Sequence, residues 1–210
     1  KLGILPREVL VASTGVIGLP LPMERIRKSL EEIPLSSQGG HQIVEAMMTT
    51  DTFPKEIAVS IMIGKSKVII GGVAKGAGMI YPNLATLLCF ITTDAAIDSN
   101  LAQVALQKAV DNSFNMISVD TDTSPNDTVL LLANGLAGSQ KLQANMAEAE
   151  IFQDALQEVC LYLAKCVARD GEGATKLIEV KVEGAFTLKD ARLAARTIAS
   201  SPLVKTAIHG

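Results

Sequence analysis

A chain of 210 residues, 48% hydrophobic and 20% charged with a mean hydropathy of +0.31, has the apolar content to bury a sizeable core as one domain and is not a disordered tail. Nineteen Lys plus Arg against 22 Asp plus Glu leave a formal charge of -3; with no Trp, two Tyr and no basic block, nucleic acid is not an expected partner. No run approaches the roughly 18 uninterrupted apolar residues of a membrane span, and residues 1–30 lack the basic start and small-residue exit of a signal peptide, so a soluble, intracellular protein is expected.

In chain order, residues 8–18 (EVLVASTGVIG) read as a short buried strand that breaks at Ser13-Thr14-Gly15. Pro22 opens a helix to about Ile33 with Met23, Ile26 and Leu30 on one face, and a second helix spans about 42–48. A hairpin follows: 56–63, a turn at 64–67, then 68–72. An apolar strand opens at Ala85-Thr86. Helical spacing marks 100–114 and 144–168, with strands at 116–119 and 129–133 and a polar loop between those strands. Beyond lie a glycine loop at 170–173, a strand at 176–182, a helix over about 189–199 and a strand-like run at 203–208. Hairpins mixed with helices, without regular strand–helix alternation, predict an α+β layered sandwich of mixed sheets covered by helices rather than a doubly wound sheet.

Residue types narrow the chemistry. Cys89, Cys160 and Cys166 cannot all pair and form no CxxC, so they read as buried thiols in a reducing compartment. His41 and His209 are the two histidines; the first sits at a helix start, where a capping or solvent-facing role is expected, and the second is next to last. A His-rich metal site is therefore excluded, and no metal is expected. Asp120, Asp122 and Asp127 tempt a calcium-loop reading, but Pro125 stands at the required glycine and Leu131 at the terminal glutamate, so a capped polar turn is expected.

The most unusual stretch is GGVAKGAGMIYPNLATLLCFITTD, 71–94. Its glycines at 71, 72, 76 and 78 have the composition of an anion cradle, yet Ala77 after Gly76 breaks the P-loop pattern and Met79 leads into a Pro82-Asn83 turn, not a helix. A flexible turn between strands is the plain reading of the same residues.

The part KGAGMIYPNLATLLCFITTD closely resembles the self-cleaving segment of the ArgJ family, the ornithine acetyltransferases also called glutamate N-acetyltransferases. Further resemblances run in family order: VLVASTGVIG at 9–18, MTTDTFPK at 48–55, FNMISVDTDTSPNDTVLLLANG at 114–135, DGEGATKLIEV at 170–180 and SPLVKTAIHG at 201–210. Leu84 and Leu88 replace frequent methionines, a volume-conserving change. Leu19 stands where a basic or polar residue is common.

The resemblance implies a DmpA/ArgJ-like sandwich and cleavage of the Ala85–Thr86 bond, leaving 1–85 as the end of an α chain and 86–210 as the start of a β chain. It implies a cytoplasmic α2β2 heterotetramer in arginine biosynthesis. The freed Thr86 would be the nucleophile, carrying acetyl from N2-acetylornithine to glutamate. This chemistry needs no histidine, because an N-terminal α-amine of pKa about 7.7–8.0 can take the proton of its own hydroxyl. The family's oxyanion hole maps to Thr14 and Gly15, where donors typically contribute about 3 kcal/mol each. Substrate contacts map to Thr49, Lys75 and Glu172 besides Thr86; the lysine suits a substrate carboxylate and the glutamate an ammonium group. No cofactor is implied, with acetyl-CoA entering only as an alternative acetyl donor. Family chains extend further on both sides, and their C-terminal portion supplies an asparagine and a hydroxyl residue to the substrate site. Two other readings stand beside this one: an N-terminal-nucleophile amidohydrolase or aminopeptidase that gives the acyl group to water, and a non-cleaving fragment that keeps the fold.

Overall fold

The period-two hairpin is the frame of the structure, a computed structural model that describes residues 3–81, 87–120 and 122–210. Strand β1 (Lys55–Ile63) pairs antiparallel with β2 (Ser66–Lys75) through the tight turn at Gly64-Lys65, where Gly64 at φ +60° takes the conformation that a short hairpin demands of its first turn residue. Strand β3 (Leu88–Thr93) pairs antiparallel with β2, and β4 (Thr128–Ala133) pairs parallel with β3, giving one mixed sheet in the order β1-β2-β3-β4. Helices cover it: the architecture is α+β, as expected.

Alternation sorts the two faces. Ile57, Val59, Ile61, Ile63, Val68, Ile70 and Ile91 pack in the core beneath α4 (Ala147–Arg169), which contributes Phe152, Leu156, Val159 and Leu163 and is backed by α3 (Ser99–Asp111). Gly72 sets the distance between sheet and helix: a Cβ there would lie 2.8 Å from Val159 and 2.9 Å from Leu163. The opposite face carries α2 (Gly40–Met47) near Glu56, to which the His41 Nδ1 bonds at 2.7 Å, whereas Met62 and Ile69 on that face are exposed. Helix α1 (Met23–Glu32) forms where expected, but none of its residues is buried.

Four strand expectations fail. In 8–18, Pro6 opens a single 3₁₀ turn, Pro6–Glu8, and the chain then runs irregularly with Val11 81% and Ile17 75% exposed. Residues 176–182 likewise stay out of any sheet. Strand-like composition without a ladder partner does not make a strand. In place of a strand at 116–119 a 3₁₀ turn, Phe114–Met116, follows α3. The run 203–208 is helical, in α6 (Pro202–His209) after α5 (Leu188–Ser200): Ser201 accepts the Val204 N–H and Pro202 occupies the first turn, a start signal that outweighs the β-branched residues.

Cys89 and Cys160 are buried and free and Cys166 is half-buried; burial pushes the Cys160 thiol up to about 12. Among the described residues no helix is long and apolar enough to cross a membrane.

Candidate functional site

Four loops meet where β2 ends. Lys75, its last residue, is buried, and its Nζ donates to the Thr49 hydroxyl at 3.2 Å in the loop between α2 and β1. Asp51 in that loop accepts the Thr49 N–H at 3.0 Å and the Gly76 N–H at 2.7 Å, tying the TTDT segment to the start of the glycine loop. Beneath them lies a buried ion triad: Lys55 Nζ is 2.6 Å from Asp51 and 2.5 Å from Asp170, the residue that caps the C-terminus of α4. A carboxylate is unfavourable at that end of a helix dipole, and Lys55 offsets it. Asp170 also accepts the hydroxyl and the N–H of Thr52.

Two residues past Asp170, Glu172 donates its N–H to the Ala77 carbonyl at 2.8 Å. Its carboxylate lies over Gly78, where a Cβ would come within 2.6 Å of Cδ, so the glycine makes room for the acid. Met79 is held at φ +56°, an uncommon conformation for a residue with a side chain; the Asp120 carboxylate accepts its N–H at 2.7 Å and that of Ile80 at 3.0 Å. Asp127 accepts the Leu87 N–H at 3.0 Å. Two of the three acids of the DTDTSPND run, Asp120 and Asp127, thus accept backbone N–H groups of two different segments.

Burial raises the Asp51 carboxyl, but Lys55 and the Gly76 and Thr49 N–H groups more than offset this and hold it below its ordinary value. Burial lowers the Lys75 ammonium, with Lys55 acting the same way and Asp51 and Asp127 opposing. Burial raises Asp127 to about 6, against the pull of Leu87 N–H and Lys75. Lys75 is therefore a largely desolvated amine, with Asp51 and Asp127 as the anions that favour its charged form.

Of the site residues read from the sequence, Thr49, Lys75 and Glu172 come together here. Thr14, half-buried, and Gly15, exposed, lie in the irregular N-terminal segment, and no hydrogen bond joins them to those three among the described residues. Ala85 and Thr86 lie outside the described residues. Lys55, Asp51 and Asp170 were not singled out in the sequence: the partners Lys55 and Asp170 are separated by 115 residues, and only the close spacing of Asp51 and Lys55 offered a hint. A cavity of about 780 Å³ between α4, α6 and residues 172–180 shares only Glu172 with the predicted site, so the polar rim and not this mainly apolar space matches the expected chemistry.

The ArgJ family's model matches residues 1–210. The chain is 56% identical over its whole length to the arginine biosynthesis bifunctional protein ArgJ of Symbiobacterium thermophilum and 54% identical to that of Dehalococcoides mccartyi, covering 52% of each. A crystal structure of the Bacillus halodurans protein of the same name aligns over 58% of this chain and 57% of that one, with TM-score 0.56 and 50% identity. The chain spans about half the length of the curated relatives it matches. With a match that runs through every segment singled out above, the chain belongs to the ArgJ family.

Proposed function

We propose that this chain is the self-processing part of an N-terminal-threonine acyltransferase that moves acetyl from N2-acetylornithine to glutamate. The observation that carries the reading is the convergence of Thr49, Lys75 and Glu172 on the loop leaving β2, in whose sequence Ala85-Thr86 follows, within a chain that matches the family throughout. A buried cation and an exposed carboxylate at one rim suit an amino-acid substrate with both charges.

In maturation the Thr86 hydroxyl attacks the Ala85 carbonyl, the C–N bond breaks as the ester forms and the hydroxyl proton passes to the freed α-amine, and water then hydrolyses the ester to an Ala85 carboxylate and the Thr86 hydroxyl. The products are residues 1–85 and a chain beginning at Thr86. In turnover the α-amine takes the hydroxyl proton as Oγ attacks the acetyl carbonyl; the amide C–N bond breaks, and the departing ornithine nitrogen receives the proton. The glutamate amine then attacks the acetyl ester, giving N-acetylglutamate and free Thr86. Thr14 and Gly15 are the proposed oxyanion donors. Acetylation of glutamate from acetyl-CoA as a second activity, a cytoplasmic location and α2β2 assembly of cleaved chains belong to the same proposal; the relatives' names contain the word bifunctional.

Denaturing mass measurement on the protein in its natural full length tests the first step. Two pieces divided before Thr86 are expected, and one uncut piece with no turnover for Thr86→Ala. Labelled N-acetylornithine, with and without glutamate, tests the second. Acetylglutamate is expected; acetate released at one rate in both, without acetylglutamate, would mean hydrolysis instead.

A further inference from the structure

Thr49 and Lys75 belong to different segments, and one carboxylate joins their backbones. The β1–β2 ladder ends with Lys55 opposite Ala74, before it reaches either residue. Beyond that pair the link is Asp51: Oδ1 accepts the Gly76 N–H at 2.7 Å and Lys55 Nζ at 2.6 Å, and Oδ2 accepts the Thr49 N–H at 3.0 Å. A local turn cap accounts for the bond to Thr49, two residues away, but not for the bond to Gly76, 25 residues away. Across this strap the Lys75 ammonium meets the Thr49 hydroxyl at 3.2 Å. The Asp51 side chain is wholly enclosed, so it acts on a substrate only through the residues it holds.

We propose that Asp51 is a positioning residue for substrate recognition: by holding the Thr49 and Gly76 N–H groups on its two oxygens it sets the spacing of the Thr49 hydroxyl and the Lys75 ammonium that receive N-acetylornithine. The inference rests on Thr49 and Lys75 being substrate contacts in the function proposed above. Only a carboxylate presents an acceptor on both sides. The amide of Asp51→Asn has one oxygen, which the two donors converging on the Oδ1 position, Lys55 and Gly76, claim; its NH₂ then faces the Thr49 N–H and releases that segment. Lys55 keeps Asp170 at 2.5 Å as a balanced buried pair, so the substitution shifts a position without stranding a charge.

In the cleaved full-length enzyme Asp51→Asn is expected to raise KM for N-acetylornithine about tenfold, with kcat within about twofold of wild type. Asp51→Glu, which keeps the charge but displaces the carboxylate by one methylene, should do the same. In a Thr49→Ala background Asp51→Asn adds less than about twofold to KM, because the group it positions is already gone. Thr52→Val removes a hydroxyl bond to Asp170 in the same loop and leaves the bonds of Asp51 in place; it lowers the melting temperature at wild-type KM. If Asp51→Asn keeps the wild-type KM, or if its effect persists undiminished in the Thr49→Ala background or is matched by Thr52→Val, Asp51 merely stabilises the loop and the inference fails. A folded Asp51→Asn that stays uncut also overturns it, by placing Asp51 in maturation. A wild type that is never cut overturns the Thr86 reading instead, and equilibrium binding of N-acetylornithine then reads the same comparison of variants.

Discussion

Glu172 shows how one side chain depends on the absence of another. Its carboxylate occupies the space above Gly78 that a methyl group would take, and it is the movable partner of that pair. Gly78→Ala is therefore expected to push the acid aside without disturbing the core. The expected outcome is a rise of about tenfold in KM for N-acetylornithine with an unchanged melting temperature, read by steady-state kinetics and calorimetry. Residue identities at this rim were legible only through the resemblance, because a lone lysine among glycines and a glutamate in a glycine loop have ordinary surface readings. Of the ion triad only the close spacing of Asp51 and Lys55 is a hint in the sequence; the Lys55–Asp170 pair is not legible there, because lysine and aspartate are rarely buried, and what makes burial tolerable here is a partner contributed by the far end of α4.

That ion triad acts between elements, joining the entry of β1 to the end of α4 and, through Asp51, to the exit of β2. Lys55→Met would leave two buried carboxylates facing each other without their cation. Urea denaturation at neutral pH is expected to show a loss of about 3–5 kcal/mol, and adding Asp170→Asn should recover part of it. Elements whose identity is local were read correctly: the hairpin from its alternation, α3 and α4 from their apolar stripes. Those that failed depend on what is distant or on a cap. Residues 8–18 and 176–182 have strand composition but pair with no strand among the described residues, whereas 203–208 follows Ser201 and Pro202 into a helix.

At the scale of the molecule, the layered α+β class followed from the mixture of hairpin and long helices, and the mixed sheet bears it out. The order of its strands bears on the proposed cut. Residues 1–85 contain β1 and β2, residues 86–210 contain β3 and β4, and the β2–β3 ladder from Ile70–Thr93 to Lys75–Leu88 spans the division. Severing the polypeptide before Thr86 would leave two chains that share one sheet and one core beneath α4. Melting of the processed form then becomes a dissociation, and its midpoint should climb with protein concentration; that of uncut Thr86→Ala should be comparatively insensitive to dilution. The interior that began as intramolecular packing would serve, after the cut, as a heterodimer interface whose two partners are made at a fixed one-to-one ratio and already docked.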